Sequence, residues 1–249
     1  MIELKHGKDY FSPSQLKKLY LSIGQLNAYL KSVFEPTSAM ELGTAIHTAL
    51  LEPDKFDERY VVMDNAKILE EIGGARPTST KKYADWFADF SDRNIKKDII
   101  SVGDKAIIDT ISSKCALSGI TDTYFTGGEA EKTITGVAKG FDEEFEALCI
   151  VDYDTDFVSI DLKTTSKALH KFKWDANELG YDIQAVLTNS VNHKDFVFVV
   201  VQTVEPYDIG IYTLSDFFRD RGKLKINKAL QNYKNYEDEY STQVLTFEL

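Results

Sequence analysis

The residues best suited to chemistry are Asp161 and Lys163, two positions apart in Ile160-Asp-Leu-Lys-Thr-Thr165, with Asp152 a short way upstream. Side chains two apart on a strand share a face, so an extended segment points Asp161 and Lys163 one way and Leu162 the other. The preceding stretch reads as the other arm of a tight hairpin. Cys149 to Val151 rise into Asp152, Tyr153 to Asp156 make a polar turn, and Phe157, Val158 and Ile160 return. Such a hairpin brings Asp152 toward Asp161. Two carboxylates converging at the end of an apolar sheet repel unless a cation joins them, which points to a divalent metal. A lysine beside them can hold an attacking water and offset charge on a phosphoryl transition state. Charges at a hairpin end are more often simply solvated, so the pattern needs support from the rest of the chain.

The chain has 249 residues, 43% of them hydrophobic, enough for one substantial core. No apolar run reaches the ~18 residues of a membrane span. The opening Met-Ile-Glu-Leu-Lys-His lacks the basic-then-apolar profile of a signal peptide, and a cytoplasmic location with no membrane partner is expected. Two cysteines, Cys115 and Cys149, cannot form a disulfide framework or a four-cysteine metal site, and Cys149 reads as buried filler. The net charge, 29 − 40 = −11, argues against a protein that coats DNA non-specifically but leaves a nuclease open. Acidic residues gather between Asp142 and Asp161. Positive charge gathers at Lys163, Lys167, Lys171 and Lys173, and again at Arg219, Arg221, Lys223, Lys225 and Lys228. Each basic cluster could face a phosphate backbone or be a solvated helix face.

The positioning elements follow from periodicity and capping. Ser12, Pro13 and Gln15 open a helix, and Leu16, Leu19, Ile23, Leu26 and Leu30 carry it to about Ser32. Ser38-Ala-Met-Glu41 opens a second helix, through Gly43 and His47 to Leu51. Gly43 lies one turn before His47, so His47 is either a satisfied core histidine or a metal ligand over a cleared helix face. Phe56 to Met63 reads as a strand, Gly73 to Thr80 as a loop, and Tyr83 to Phe90 and Ile99 to Leu117 as helices. Strands are expected at Glu131–Thr135, Phe145–Tyr153 and Phe157–Lys163, then a helix over 174–189 with Tyr181, Gln184 and Thr188 as a polar stripe. Phe196 to Val201 suits a strand buried on both faces. Ile209 to Leu214 is another strand, Ser215 caps a helix to about Tyr236, and Tyr240 to Leu249 suggests an edge strand. With no repeats or low-complexity linker, a single domain is expected, helical over 10–120 and carrying the sheet over 124–236.

The order helix (38–51), three strands (131–163), helix (174–189), strand (195–203) resembles the αβββαβ core of the PD-(D/E)xK nucleases, an α/β fold with a mixed central sheet flanked by helices. Ala39-Met-Glu-Leu-Gly-Thr-Ala-Ile-His-Thr-Ala-Leu-Leu-Glu-Pro53 resembles the opening motif of RecE-type (exodeoxyribonuclease VIII-like) exodeoxyribonucleases of phages and prophages. Gly127-Gly-Glu-Ala-Glu-Lys132 is similar to their acidic motif, Ile160-Asp-Leu-Lys-Thr-Thr165 to their catalytic strand, and Gly180-Tyr-Asp-Ile-Gln-Ala185 to their glutamine motif. Phe196-Val-Phe-Val and Glu205-Pro-Tyr207 also fit. The resemblance covers roughly residues 10–53 and 124–232.

What it implies is a set of roles. His47, Asp152, Asp161 and the Leu162 carbonyl would hold Mg²⁺, with Mn²⁺ also admitted by a histidine ligand. Lys163, best served by a depressed pKa, would position or activate the attacking water. Glu131 would support the metal or the DNA end, and Gln184 and Tyr181 would orient the catalytic groups or contact phosphate. Lys167, Lys171, Lys173, Arg219 and Arg221 are the candidate DNA contacts. The family degrades linear double-stranded DNA from the 5′ strand, as ring-shaped trimers or tetramers, alongside a single-strand annealing protein. The sequence departs from the pattern in places. Val151 stands where a proline is usual, the Asp152–Asp161 gap of nine is short, and Thr188 replaces a tyrosine. Asp154 or Asp156 remain alternatives to Asp152, and Glu129 to Glu131. Rival readings are an endonuclease of the same fold and a catalytically idle DNA-binding scaffold. An iron–sulfur nuclease lacks its cysteines here, and a helicase fusion lacks its phosphate loop.

Overall fold

A computed structural model describes residues 10–73 and 77–235. In chain order its helices and strands begin with α1 (Pro13–Leu21), α2 (Ile23–Lys31), α3 (Ser38–Leu51), α4 (Phe56–Arg59), β1 (Tyr60–Met63), α5 (Asn65–Ile72) and α6 (Lys81–Arg93). They continue with β2 (Asp98–Ser101), α7 (Val102–Leu117), α8 (Ile120–Tyr124), β3 (Glu129–Ala138), β4 (Phe145–Asp154) and β5 (Val158–Thr165). The chain then forms α9 (Phe172–Glu178), α10 (Tyr181–Asn192), β6 (Asp195–Gln202), β7 (Ile209–Thr213) and α11 (Asp216–Lys234). The edge strand expected over 240–249 lies outside the described residues.

The chain divides into two compact units. One unites the stretches up to Glu35, Thr126–Val201 and Asp208 onward; the other holds Pro36–Phe125 and Gln202–Tyr207. Residues 10–35, read from the sequence as part of the helical half, therefore group with the sheet.

The sheet unit is built on the order β3-β4-β5-β6-β7. β3 and β4 pair antiparallel, as do β6 and β7, and the helical crossover from β5 to β6 is the connection a parallel pair requires. The sheet is therefore mixed and flanked by helices. On β4, Ala147, Cys149, Val151 and Tyr153 are buried in alternation with more exposed neighbours, the period of a strand with one packed face. That face meets Leu16 and Leu19 of α1, Ile183, Val186 and Leu187 of α10, and Ile226, Ala229 and Leu230 of α11. β6 is buried from Phe196 to Gln202, as its unbroken apolar run predicts. Phe198 and Val200 of β6 pack with Phe172, Ala185 and Leu214. β4 gains a further bridge from Phe11, whose N–H donates to Glu146 O at 2.9 Å and whose carbonyl accepts from Leu148 N at 3.0 Å.

Several boundaries differ from the sequence reading for local reasons. The expected helix from Pro13 to Ser32 is two helices, because Ser22 is extended (φ −173°, ψ 162°) and its hydroxyl caps α2 by accepting from Gln25 N. The helix over 174–189 is likewise split, with Gly180 in the left-handed region (φ 65°) between α9 and α10. Thr37, not Ser38, caps α3 by accepting from Met40 N. Asp98–Ser101 is a strand before α7, and only the second half of Phe56–Met63 is extended.

The second unit has a two-stranded parallel sheet, Tyr60↔Asp98 to Met63↔Ser101, with α3 packed on α7. Ile108, Ile111 and Cys115 of α7 and Ala45, Ile46 and Leu50 of α3 are buried.

Candidate active site

The two carboxylates singled out by the sequence meet where β4 and β5 part. The strands pair at Tyr153↔Ile160 and Asp154↔Ser159, so the next step of that register sets Asp152 opposite Asp161. There the ladder changes character. The Leu162 N–H donates to the side chain of Asp152, Oδ2 at 2.8 Å, rather than to a backbone carbonyl. Asp161 is only 1% exposed. Its Oδ1 accepts from Gln184 Nε2 at 2.5 Å, and its Oδ2 is ion-paired with Lys163. The Lys163 ammonium also lies 5.0 Å from the centre of the Tyr181 ring. Lys163, Asp161, Gln184 and Tyr181 are thus one connected group on β5 and the first turn of α10.

Glu131 completes the carboxylate set. The pairs Ala130↔Tyr153 and Lys132↔Val151 place Glu131 across from Asp152, and carboxylate oxygens of the two lie within 4.8 Å. Glu131 has φ 53°, a left-handed conformation that costs a non-glycine residue on the order of 1–3 kcal/mol. Such strain persists where the surroundings over-determine it, and here it sits beside Asp152. Glu129 is exposed instead and faces Lys132 at 3.6 Å.

Asp154 belongs to a separate network. It accepts from Lys194 Nζ at 2.7 Å and Ser159 Oγ at 2.7 Å, and pairs with Lys132 at 3.1 Å. Burial favours its neutral form, but these donors outweigh burial and hold the carboxyl below its usual range. Asp156 is exposed in the turn. Of the alternatives left open by spacing, the geometry brings Asp152 to Asp161.

The electrostatics of the group are those of crowded like charge. Burial, and then Asp161, push Asp152 well above the carboxylate range, with Lys163 and the Leu162 N–H pulling the other way. Burial alone would lower Lys163, but Asp161 and Asp152 more than offset it, and its pKa stands above the ordinary lysine value. The depressed lysine expected from the sequence belongs to the metal-loaded site, where a cation would share the same two carboxylates. Burial raises the Tyr181 hydroxyl, with Lys163 opposing.

These donors fit a hard divalent cation. Glu131 and Asp152 bring carboxylate oxygens within 4.8 Å of each other, and burial together with Asp161 disfavours the charged form of Asp152, a cost that a cation would relieve. His47 lies on α3 in the second unit, half-buried, one turn after the buried Gly43.

The expected DNA contacts divide. Lys171 and Lys173 are exposed, Lys173 lying 4.8 Å over the Trp174 ring. Lys167 pairs with Asp175 at 2.7 Å, and Arg219 is half-buried on α11. Arg221 is committed elsewhere: its Nε donates to Asp182 Oδ2 at 2.6 Å, beside Lys225 at 2.8 Å. Asp182 is 0% exposed, so Arg221 neutralises a buried carboxylate rather than facing solvent. Sequence reasoning missed Asp182, although it stands inside Gly180-Tyr-Asp-Ile-Gln184, and it missed Lys17, which no motif marks.

A family model described as a PDDEXK-like domain of unknown function (DUF3799) matches residues 12–242. The chain belongs to this family. Among solved structures, the DUF3799 chain is similar to one named as an exonuclease from Eubacterium rectale, at 14% identity and a TM-score of 0.57, covering 98% of this chain and 92% of that one. It also matches a phage related exonuclease from Haemophilus somnus 129PT at 16% identity and a TM-score of 0.34, covering 90% and 93%. No curated protein matches. The likeness to the first structure supports the PD-(D/E)xK nuclease fold expected for this DUF3799 chain.

Proposed function

We propose that the protein is a divalent-metal-dependent exodeoxyribonuclease acting on the ends of linear double-stranded DNA, of the RecE type. The observation that carries the reading is the convergence of Asp152, Asp161 and Lys163, with Gln184 fixing Asp161. Asp152, Asp161, Glu131 and the Leu162 carbonyl would hold Mg²⁺ or Mn²⁺, and the family likeness adds His47. When bound, the metal acidifies a water and neutralises charge on the phosphoryl group. The chain's own residues do the rest. Lys163, ion-paired with Asp161, positions or activates the attacking water and stabilises charge on the phosphate as it develops. Gln184 fixes the rotamer of Asp161, and Tyr181 supports the Lys163 ammonium through its ring face. By the resemblance of its motifs to RecE-type enzymes, the reading extends to 5′-to-3′ direction, a ring-shaped trimer or tetramer, and work beside a single-strand annealing protein in phage-type recombination. Light scattering on the purified protein tests the ring.

The deciding experiment is digestion of linear duplex DNA labelled separately at its 5′ and 3′ ends, with Mg²⁺ or EDTA, wild type beside Lys163→Ala and Asp161→Ala. Metal-dependent release of 5′ nucleotides, lost in both variants and absent on closed circles, is the expected result. Cleavage of circles would move the reading to an endonuclease of the same fold. DNA binding without cleavage under either metal would leave an idle scaffold.

A further inference from the structure

We propose that Lys17 of α1 is a second substrate-phosphate contact, which holds a phosphate of the cleaved strand close to the scissile one. The inference rests on the nuclease reading above and assigns a residue that no motif marks. The Lys17 ammonium lies 5.1 Å from the centre of the Tyr181 ring, the same ring that Lys163 approaches to 5.0 Å. Sharing a ring puts the two ammonium groups within about 10 Å of each other, which a DNA strand spans in at most about three base steps of ~3.4 Å rise. A strand with its scissile phosphate at Lys163 therefore has a neighbouring phosphate within reach of Lys17.

The approach of Lys17 to this point is built into the backbone. Its stem crosses Gly180, where a Cβ would meet Lys17 Cγ at 3.0 Å, Cδ at 3.4 Å and Cε at 3.6 Å. Gly180 thus answers two demands, the left-handed turn between α9 and α10 and the passage of the lysine. Among the described residues Lys17 forms no ion pair, whereas Lys163, Arg221 and Lys225 are each paired with a buried aspartate. Burial, then the Lys163 charge, push Lys17 down to about 8, with Asp161 and Asp182 opposing and Lys18 adding to the fall. An arriving phosphate relieves that cost. Beside it opens a cleft of about 280 Å³ whose walls include Lys17, Lys18, Tyr20, Asn177 and Gly180, with Glu178 as its carboxylate. It offers cations, an amide and an aromatic face to a sugar-phosphate segment.

The test uses the full chain with Mg²⁺ and short linear duplexes, comparing wild type, Lys17→Met and Lys17→Arg across a salt series. Methionine keeps the apolar stem and removes the charge. The contact predicts an approximately tenfold rise in KM for Lys17→Met with kcat changed less than about twofold. The slope of log(kcat/KM) against log salt becomes shallower by about 0.7–0.9, the release of one counterion. Lys17→Arg restores most of the loss. A neutral methylphosphonate at the contacted linkage costs wild type about as much as the methionine variant loses, and costs that variant nothing more. An unchanged KM and salt slope in Lys17→Met, or equal sensitivity of both proteins at every linkage, overturns the assignment. Wild type that cuts no DNA with Mg²⁺ or Mn²⁺ sinks the nuclease reading instead. Duplex binding by fluorescence anisotropy then decides Lys17 separately: a shallower slope in Lys17→Met supports the contact, and an unchanged slope overturns it.

Discussion

Gly222 gives the sharpest test of how α11 holds α10. A Cβ at this position would lie 2.6 Å from the carbonyl oxygen of Asp182, 2.7 Å from Val186 Cγ2 and 3.0 Å from the Asp182 carbonyl carbon. Two effects of Gly222→Ala oppose each other. Alanine in a helix interior gains about 1 kcal/mol over glycine. Overpacking a tight contact costs about 1–3 kcal/mol, and the obstacle here is largely main chain, which cannot rotate aside, so the upper half of that range applies. The expected net loss is about 1–2 kcal/mol, or roughly 2–8 °C in Tm at the ~2–4 °C per kcal/mol typical of this chain length. Differential scanning calorimetry reads it directly. Gly103→Ala is the control, since the nearest atom to its Cβ is Ser101 Oγ at 3.5 Å, an ordinary contact, and its Tm should hold or rise. A Gly222→Ala Tm equal to or above wild type would refute the argument that backbone proximity, not helix propensity, dictates this glycine. Because the displaced helix carries Tyr181 and Gln184, nuclease activity at a temperature where the variant is fully folded is also expected to fall.

Further outcomes follow from the site and the core. Asp152→Asn should abolish cleavage with little change in fold, whereas Asp154→Asn should retain cleavage and lose stability, as measured by paired activity and urea-denaturation assays. Because the folded pKa of Asp154 is lowered, its stabilisation is present above the ordinary aspartate range near 4 and fades as pH falls through it, so the stability gap between wild type and Asp154→Asn should close in acid. Mn²⁺ or Mg²⁺ at about a hundred times Kd should stabilise wild type by about 2.7 kcal/mol in a thermal-shift titration and leave Asp152→Asn unmoved. Burial pushes the Cys149 thiol up to about 12, with a Thr188 hydrogen bond opposing, and the Cys115 thiol up to about 11. Neither should react with an aromatic disulfide reagent at pH 8 until denaturant is added. Their raised values mean stability present below the ordinary thiol pKa near 8.5 and lost as pH climbs toward 11.

What the sequence disclosed and what it withheld separate along physical lines. The Asp161-x-Lys163 alternation was legible because strand periodicity alone fixes which side chains share a face. The capping of α1 by Ser12 and Gln15, of α11 by Ser215, and the double-sided burial of β6 were legible for similar reasons of local chemistry. The break at Ser22 was harder, since Leu16 to Leu30 keep helical spacing across it; the pair Ser22 and Gln25 was the available signal. Strand parity narrowed the first carboxylate to Asp152 or Asp154, but did not reveal the engagement of Asp154 by other partners. Those partners are Lys132 and Lys194, 22 and 40 positions from Asp154, and distant partners leave no trace in a local pattern. The same holds for Arg221, whose partner Asp182 lies 39 positions away, and for Lys17.

The sheet unit is discontinuous in the chain, and this has a consequence for its synthesis. Leu16, Leu19, Ile23 and Leu26 share a core with Ile226, Ala229 and Leu230, and Asn232 Nδ2 donates to Leu19 O at 2.8 Å. Roughly 200 residues separate these partners, so at ~5–20 residues per second the first helices wait about 10–40 s on the ribosome before α11 emerges. Pro36–Phe125, nearly all of the other unit, is complete well before then. The apolar faces of α1 and α2 therefore stay uncovered by α11 through that interval. A chain truncated before α11 is expected to leave Leu16, Leu19, Ile23 and Leu26 without part of their packing.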